Sequence, residues 1–523
     1  MAEFMLYGRT ILFGLTSALV MLSVPQGLSG RVLQFDRFAH YIERFNAEDV
    51  ETITNYIPNS AAKHWLSENI PLFECPDREV EEVYYYRFWV YRKHIKLTPL
   101  GFVITEFLKP VKHAGQYNTI SCAVGHHLAE GRWLWNQQYL RDYILFWLRG
   151  YNGGPQPHFH QYSSWFAWAV YQWYMVTDEK SFVTNLVDDL VADYNRWCEE
   201  RELPEGLFWQ YDVRDGMEES ISGSRINKNI RPTINAYMYG NAVAIAALAR
   251  LAGRQSLVAE FENKANALRQ RMLLKLWDSQ AEFFKVRLEN GELSDVRELI
   301  GYVPWMFGLG PVDEPYLRAW KELTNSLGFK SAFGFTTAEQ RHMRFRTHGV
   351  GRCEWDGPIW PFATSQTLSA LANVLRAKPE TQISICDYFD AFIQYVQMHR
   401  YYGKPFIGEY LDEITGAWIN RGDRSWHYNH STFADLVISG LIGIVPTENE
   451  VMQLHPLVPE HVWDWFCLDN LNYKGRQVSI VWDRDGSKYK IRPGLTIIVG
   501  EKIVTNVPRL QPVVLPLPPK PYL

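Results

Sequence analysis

"INAYMYGNAVAIAALARLAGRQSLVAEFENKANALRQRMLLKLW", residues 234–277, holds two apolar-periodic runs with one break at Gly253. Apolar side chains recur at three- and four-residue spacing over 234–252 and again over 257–277, the period of helices with buried faces. Working outward, "YSSWFAWAVYQWYMVT" (162–177) and "KSFVTNLVDDLVADYNRWCEE" (180–200) carry the same spacing. So do 79–97, 119–130, 136–149, 312–326, 359–375, 380–397 and 431–443, which makes eleven or twelve helices. They come as neighbouring pairs joined by loops of very unequal length. The longest loops are 98–118, 150–160, 205–232, 327–358 and 401–430, and long loops in a compact domain usually hold function. No fixed repeat period of the solenoid kind is present. The expected architecture is an all-α toroid of paired helices.

After Pro446 the texture changes. "YKGRQVSIVWDRDGSKYKIRPGLTIIVGEKIVTNV" alternates apolar and polar residues, with "RDG" as a hairpin turn, so a small C-terminal β domain is expected. The tail "RLQPVVLPLPPKPYL" is Pro-rich and extended. The expected organisation is 1–30 a signal peptide, 31–446 the helical domain, and 447–523 a β-sandwich-like domain with its tail. The signal reading rests on Arg9 followed by the apolar run Ile11–Val24 and small residues to Gly30, too short to span a bilayer. It implies a secreted or extracytoplasmic protein, and no other segment is long and apolar enough to cross a membrane.

Aromatic residues make up 15% of the chain, with 20 Trp and 29 Tyr. Most belong to the core, yet such rings also offer an apolar face to sugar C–H groups and a polar tip to hydroxyls. A net charge of −5 provides no basic stripe for phosphates and argues against nucleic acid. The six Cys lie far apart with no CxxC, and no metal or cofactor is expected. The single glycosylation sequon, Asn429-His430-Ser431, reads as accidental.

Two acid clusters stand out. "GEYLDEITG" holds Glu409, Asp412 and Glu413, and "FWQYDVRDGMEESISGS" holds Asp212, Asp215, Glu218 and Glu219. Either one alone reads as a solvated acidic loop. Two of them, each wrapped in aromatics and each on a long loop, match the two carboxyl groups that glycoside hydrolysis sets across the scissile bond. "WDGPIWP" (355–361) would line a pocket with Trp355 and Trp360.

These motifs resemble those of inverting (α/α)6-barrel glycoside hydrolases of the family 63 and trehalase (family 37) type, nearest the mannosylglycerate-hydrolase-like branch. "WDGPIWP" is similar to their "W-R-G-P-x-W", "DGMEESISG" to their "E-S-G-x-D-N-S", and "GEYLDEITG" to their "Y-E-N-Y-N-P-x-T-G". The resemblance spans about 85–445. It implies an (α/α)6 toroid, a carbohydrate substrate, Glu218 as general acid and Glu409 as general base. For the substrate it implies contacts from Asp356, Trp355, Trp360, His160, Tyr162, Asp215, Trp418, Asn429 and His430. Glu218 stands where those families usually have Asp, Glu219 replaces their Asn, and Asn118 replaces an Asp. The C-terminal β segment matches the rhamnosidase-like arrangement. A polysaccharide lyase or sugar epimerase on the same toroid is the first alternative, kept open by His160, Tyr162 and Tyr428. A non-catalytic carbohydrate-binding relative is the second. His126 and His127 read as core residues, and the sequence leaves oligomeric state open.

Overall fold

The computed structural model describes residues 31–347, 353–379, 382–419 and 422–520; the stretch read as a signal peptide lies outside them. Among the described residues the α-helices, in chain order, are α1 (Ala39–Glu48), α2 (Asn59–Asn69), α3 (Arg78–His94), α4 (Val124–Gly131), α5 (Gln138–Arg149), α6 (Phe166–Thr177), α7 (Lys180–Thr184), α8 (Val187–Arg201), α9 (Pro232–Leu251), α10 (Gln255–Lys275), α11 (Val303–Met306), α12 (Pro361–Ala377) and α13 (Ile385–Gln397).

The quoted stretch becomes α9 and α10, and the two bury their surfaces differently. α9 begins at Pro232, whose missing N–H costs nothing at a first helical position, and it buries residues all round. α10 buries only the stripe Val258, Phe261, Ala265, Leu268 and Met272. A helix apolar on every side belongs inside, and one with a single stripe belongs outside. The pair α12 and α13 repeats the contrast, because α12 is buried along most of its length and α13 on one face.

The inner segments follow one another in space. α4 packs on α6, α6 on α9, α9 on α11, α11 on α12, and α12 on a π-helical segment, Leu436–Leu441. Glu130 closes the circuit from α4. Its buried carboxylate accepts the N–H groups of Phe433, Ala434 and Asp435 at 2.9–3.2 Å, the free donors at a helix start. Arg132 adds an ion pair to Asp435 at 2.7 Å.

Several elements differ from expectation for local reasons. The helix expected over 79–97 stops at His94, because Pro99 lies in a tight turn between the paired strands Ile95–Thr98 and Gly101–Ile104. The 312–326 segment, interrupted by Pro311 and Pro315, winds only as a 3-10 helix over Tyr316–Leu323. The 431–443 run is π-helical over Leu436–Leu441.

The C-terminal residues form a five-stranded antiparallel sheet in the order Leu72–Glu74, Trp465–Tyr473, Arg476–Asp483, Gly494–Val499 and Lys502–Val507. Its first strand comes from the N-terminal part of the chain, far from the expected domain start. Lys474 and Gly475 both take positive φ, which makes a tight hairpin between the second and third strands. The "RDG" sequence does not make one. Asp483 pairs with Gly494, so "RDG" opens a longer loop whose Tyr489 N–H donates to the Asp483 carboxylate. The tail strand Val513–Pro516 pairs with Val451–Leu454, and Lys520 then reaches Asp178 at 2.6 Å. The sheet meets α6 at Val176 in that helix's last turn. The acid-bearing loops precede inner helices, at their N-terminal ends.

Candidate active site

Four loops meet in front of the inner helices. The 209–230 loop is fastened at its base by Asp215. This carboxylate is fully buried, pairs with Arg231 at 2.8 Å and accepts from Thr233 in the first turn of α9. Gly216 follows at φ 73°, so the chain turns sharply and Glu218 leaves the anchored base. The Glu218 carbonyl accepts the Trp355 N–H at 3.1 Å, which ties this loop to the 354–360 loop. There Trp355 stacks on Trp360 at 4.5 Å, and Trp360 stacks on Tyr410 at 4.7 Å and 5°. The three parallel rings lead from the loop of Glu218 to the residue after Glu409. Ile359 and Leu411 exchange backbone hydrogen bonds and fix that register.

Glu409 is buried in a polar setting. Its carboxylate accepts from the Ser425 hydroxyl at 2.8 Å and from Arg424 at 3.3 and 3.4 Å. The Cys353 thiol stands 3.9 Å away. Arg424 is itself held over the Phe107 ring at 5.1 Å. Among the described residues no ion pair to Glu218 is present, and Arg225 acts on it only as a minor charge. Burial pushes its carboxyl up to about 7, and the charges of Glu409 and Asp212 add to the rise.

A third carboxylate belongs with them. Glu106 follows the strand Gly101–Ile104 and is buried between the Tyr428 hydroxyl, which donates to it, and the Cys122 thiol at 3.7 Å. Burial pushes it up to about 8, and the nearby charges of Glu409 and Glu218 contribute. Phe107, Ile120, Cys122, Tyr162 and Tyr428 form a small apolar cluster around it. A lone acid in "GFVITEFLKPV" carries no sequence signal except an apolar neighbourhood that a solvated Glu would not choose.

The expected substrate contacts divide. Tyr162 lies by the acids: burial and the charges of Cys122, Glu218 and Glu106 raise its hydroxyl, and Arg214 sits over its ring at 5.8 Å. His430 is buried with its ring 4.0 Å from that of Tyr428, and burial holds it neutral with little relief from the Glu409 carbonyl. Asn429 joins two loops, its N–H donating to the Glu106 carbonyl at 3.0 Å and its side-chain amide to that of Thr105. Asp356 is fully buried near Glu413, in a knot where Arg346 pairs with Glu354, Asp412 and Glu413.

Three expected contacts have structural work instead. Asp215 is spent on Arg231, as described. His160 donates its Nε2–H to the Asp193 carboxylate of α8 at 2.7 Å, with its ring against Trp197. Trp418 donates its indole N–H to the Arg400 carbonyl and packs against Phe406. Arg424 and Ser425, both holding Glu409, were not expected; "RGDRSWHY" looks like an ordinary charged turn. His127 is structural, bonding Tyr143 and the Asn429 carbonyl, and His126 packs edge-on against Trp165 and Phe362. A cavity of about 530 Å³ lies elsewhere, toward the C-terminal ends of the inner helices, and Glu106, Glu218 and Glu409 do not line it.

Residues 116–431 match the model of the mannosylglycerate hydrolase MGH1-like glycoside hydrolase domain. The chain belongs to this family. In this MGH1-like glycoside hydrolase chain, residues 446–506 also match the C-terminal domain of glycosyl hydrolase family 65. Among solved structures, the MGH1-like chain is similar to a protein named sialidase, at 46% identity and TM-score 0.91, over 92% of this chain and 44% of that one. It therefore spans less than half the length of that relative. A family 63 mannosylglycerate hydrolase from Thermus thermophilus, in complex with glucose, shares the fold at 15% identity and TM-score 0.52, over 68% of this chain and 99% of the other. A family 78 rhamnosidase of a Bacillus species does so at 12% identity and TM-score 0.56, over 82% and 41%.

Proposed function

We propose that the protein is an inverting glycoside hydrolase in which Glu218 protonates the glycosidic oxygen and Glu409 activates water. The observation that carries this reading is the opposite setting of two carboxyl groups that feel each other's charge. Glu218 is pushed up to about 7 by burial, while Glu409 sits against Ser425 and Arg424. One acid whose burial favours its proton and one set beside a cation and a hydroxyl donor are the pair that glycoside cleavage needs. The ring of inner helices, read as the (α/α)6 toroid, supports the assignment because it gathers both loops at one end.

Inversion calls for a gap of about 6.5–9.5 Å between the two carboxyl groups, room for the attacking water. Water enters opposite the leaving group as Glu409 takes its proton, and the departing oxygen takes the proton of Glu218. Both carboxyls then exchange protons with solvent and the charges are restored. The rings Trp355, Trp360 and Tyr410 are buried against one another and hold the two acid loops in register, and Tyr162 and His430 suit a sugar's hydroxyls. A small glycoside or oligosaccharide is the proposed substrate. The named activities of the relatives do not choose the sugar, since the more similar one extends well beyond the match. The apolar run Ile11–Val24 supports an extracytoplasmic location.

The test is to follow the released sugar by proton NMR after a screen of aryl glycosides and disaccharides, mannosylglycerate among them. The first-formed anomer should be inverted. Retention would sink the assignment of Glu409 as base, and an ultraviolet-absorbing unsaturated end would replace hydrolysis by a lyase reaction.

A further inference from the structure

We propose that the surface groove behind the 422–428 loop is a second carbohydrate site, which takes the neutral distal residues of an oligosaccharide. This rests on the hydrolase reading above and narrows its substrate class. The groove, about 240 Å³, runs between α1, α3 and the loops near 50, 108, 401–406 and 423–427.

Three observations point to a sugar. First, the buried rings Trp89 and Phe406 form the groove's floor with Tyr401 beside them, and Trp426 at its edge is 45% exposed. The Trp426 ring meets no other aromatic ring among the described residues. Tyr402, beside Tyr401, is 89% exposed. Large rings left in water at the rim of a concave surface suit a ligand with alternating C–H faces and hydroxyls.

Second, most of the charges in the groove already have charged partners among the described residues, and Glu51 accepts the Asn59 N–H at 2.6 Å. Lys93 pairs with Asp49 at 2.5 Å, Lys109 with Asp423, Lys404 with Glu48 at 3.8 Å, and His427 with Asp49 at 3.4 Å. An anionic ligand would compete with these carboxylates for the same cations. A neutral one can accept and donate around them without loss.

Third, two loops are shared between the groove and the acids. Glu106 faces the catalytic cluster, and Leu108 and Lys109 line the groove. Ser425 and Arg424 hold Glu409, and Asp423, Trp426 and His427 line the groove. Both loops form the wall between the two places, so a chain leaving the acids over that wall meets Trp426 within a few residues.

The experiment uses full-length Glu409→Gln protein, which removes the base and keeps the shape, titrated calorimetrically with malto-, cello- and mannotetraose and with glucose and mannose. One tetrasaccharide should bind, and adding Trp426→Ala should weaken it about tenfold, the scale of one aromatic stack. A second added change, Val50→Arg at the exposed groove rim, should weaken the same ligand. The monosaccharide serves as reference. Equal weakening of monosaccharide and tetrasaccharide would mean that Trp426 only supports the Glu409 loop, and would overturn the proposal. So would unaltered tetrasaccharide binding in both variants, or self-association in sedimentation that disappears with Trp426→Ala. If no glycoside is turned over by the unmutated protein but Trp426 still controls tetrasaccharide binding, the groove stands and the hydrolase reading falls. Turnover of oligosaccharides with no effect of Trp426 leaves the reverse.

Discussion

Glu218 and Asp215 lie three residues apart on one loop, and Glu409 and Asp412 lie three apart on another. In each loop one acid belongs to the proposed catalytic pair and the other is tied into the protein. Asp215 is buried against Arg231 and Thr233. Asp412 pairs with Arg346 and accepts from the Ile414 and Thr415 N–H groups and the Thr415 hydroxyl, which caps the turn. The neighbouring acids, Asp215 and Asp412, are each spent on donors of the scaffold, and that keeps still the loops that carry the proposed pair.

The sharpest way to break this contrast is to neutralise each acid of a pair in turn. Glu409→Gln should lower turnover on the order of 10²–10⁴-fold with circular dichroism and melting temperature close to those of the unmutated protein. Asp412→Asn should change turnover less than about twofold, since it alters a turn and a partly exposed ion pair. Equal losses in the two variants would mean that the loop's shape matters and not its base.

On the other loop the order reverses for stability. Asp215→Ala leaves Arg231 buried without its carboxylate, and breaking such a pair costs roughly 3–5 kcal/mol. Urea unfolding reads this directly. A loss below about 1 kcal/mol would show that water reaches Arg231 and that Asp215 does not anchor the loop.

The pH dependence sharpens the same comparison. The acid must carry its proton, so kcat/KM should fall as pH rises through about 7, the position to which burial and Glu409 push Glu218. With a dinitrophenyl leaving group, which needs no protonation, Glu218→Gln should keep activity and lose this alkaline limb. Persistence of the limb would assign it to another group.

The smallest effect concerns Glu106. Its carboxyl is raised to about 8, so between roughly pH 4.5 and 8 the folded protein holds a proton that the unfolded chain has released. Stability from this group is therefore full at low pH and falls as pH rises through that window. Glu106→Gln removes the penalty, and the variant should melt progressively higher than the unmutated protein as pH goes from 5 to 8. A difference that is flat with pH would mean that Glu106 is solvated.

Much of the helical layout was legible because buried helices repeat apolar residues without regard to distant partners. The runs at 234–252 and 257–277 became α9 and α10 with ends displaced by only a few residues. Glu218 and Glu409, the proposed pair, were singled out through motif likeness. Glu106 was not, since what makes it special is supplied by Tyr428 and by Glu409, more than three hundred residues away in sequence. The same holds for His160 and Asp215: both residue types suit a sugar site, and only packing reveals that Asp193 and Arg231 have taken them. The strand Leu72–Glu74 is too short to show alternation, and its pairing depends on a partner near residue 468.

That short strand has a consequence for how the molecule can be cut. It forms the edge of a sheet otherwise made from the last sixty or so residues, while Leu33 N–H donates to Asp469 at 2.7 Å and Trp135 to the Asn470 carbonyl at 2.8 Å. The two stretches that match separate families, 116–431 and 446–506, are thus joined both directly, through Trp135, and through residues 33 and 72–74, which precede both. A protein shortened to the first match would lose its stitching as well as its sheet. Ends and middle should melt in one cooperative step, and trimming either terminus past these threads should cost the catalytic end its rigidity although no acid is touched.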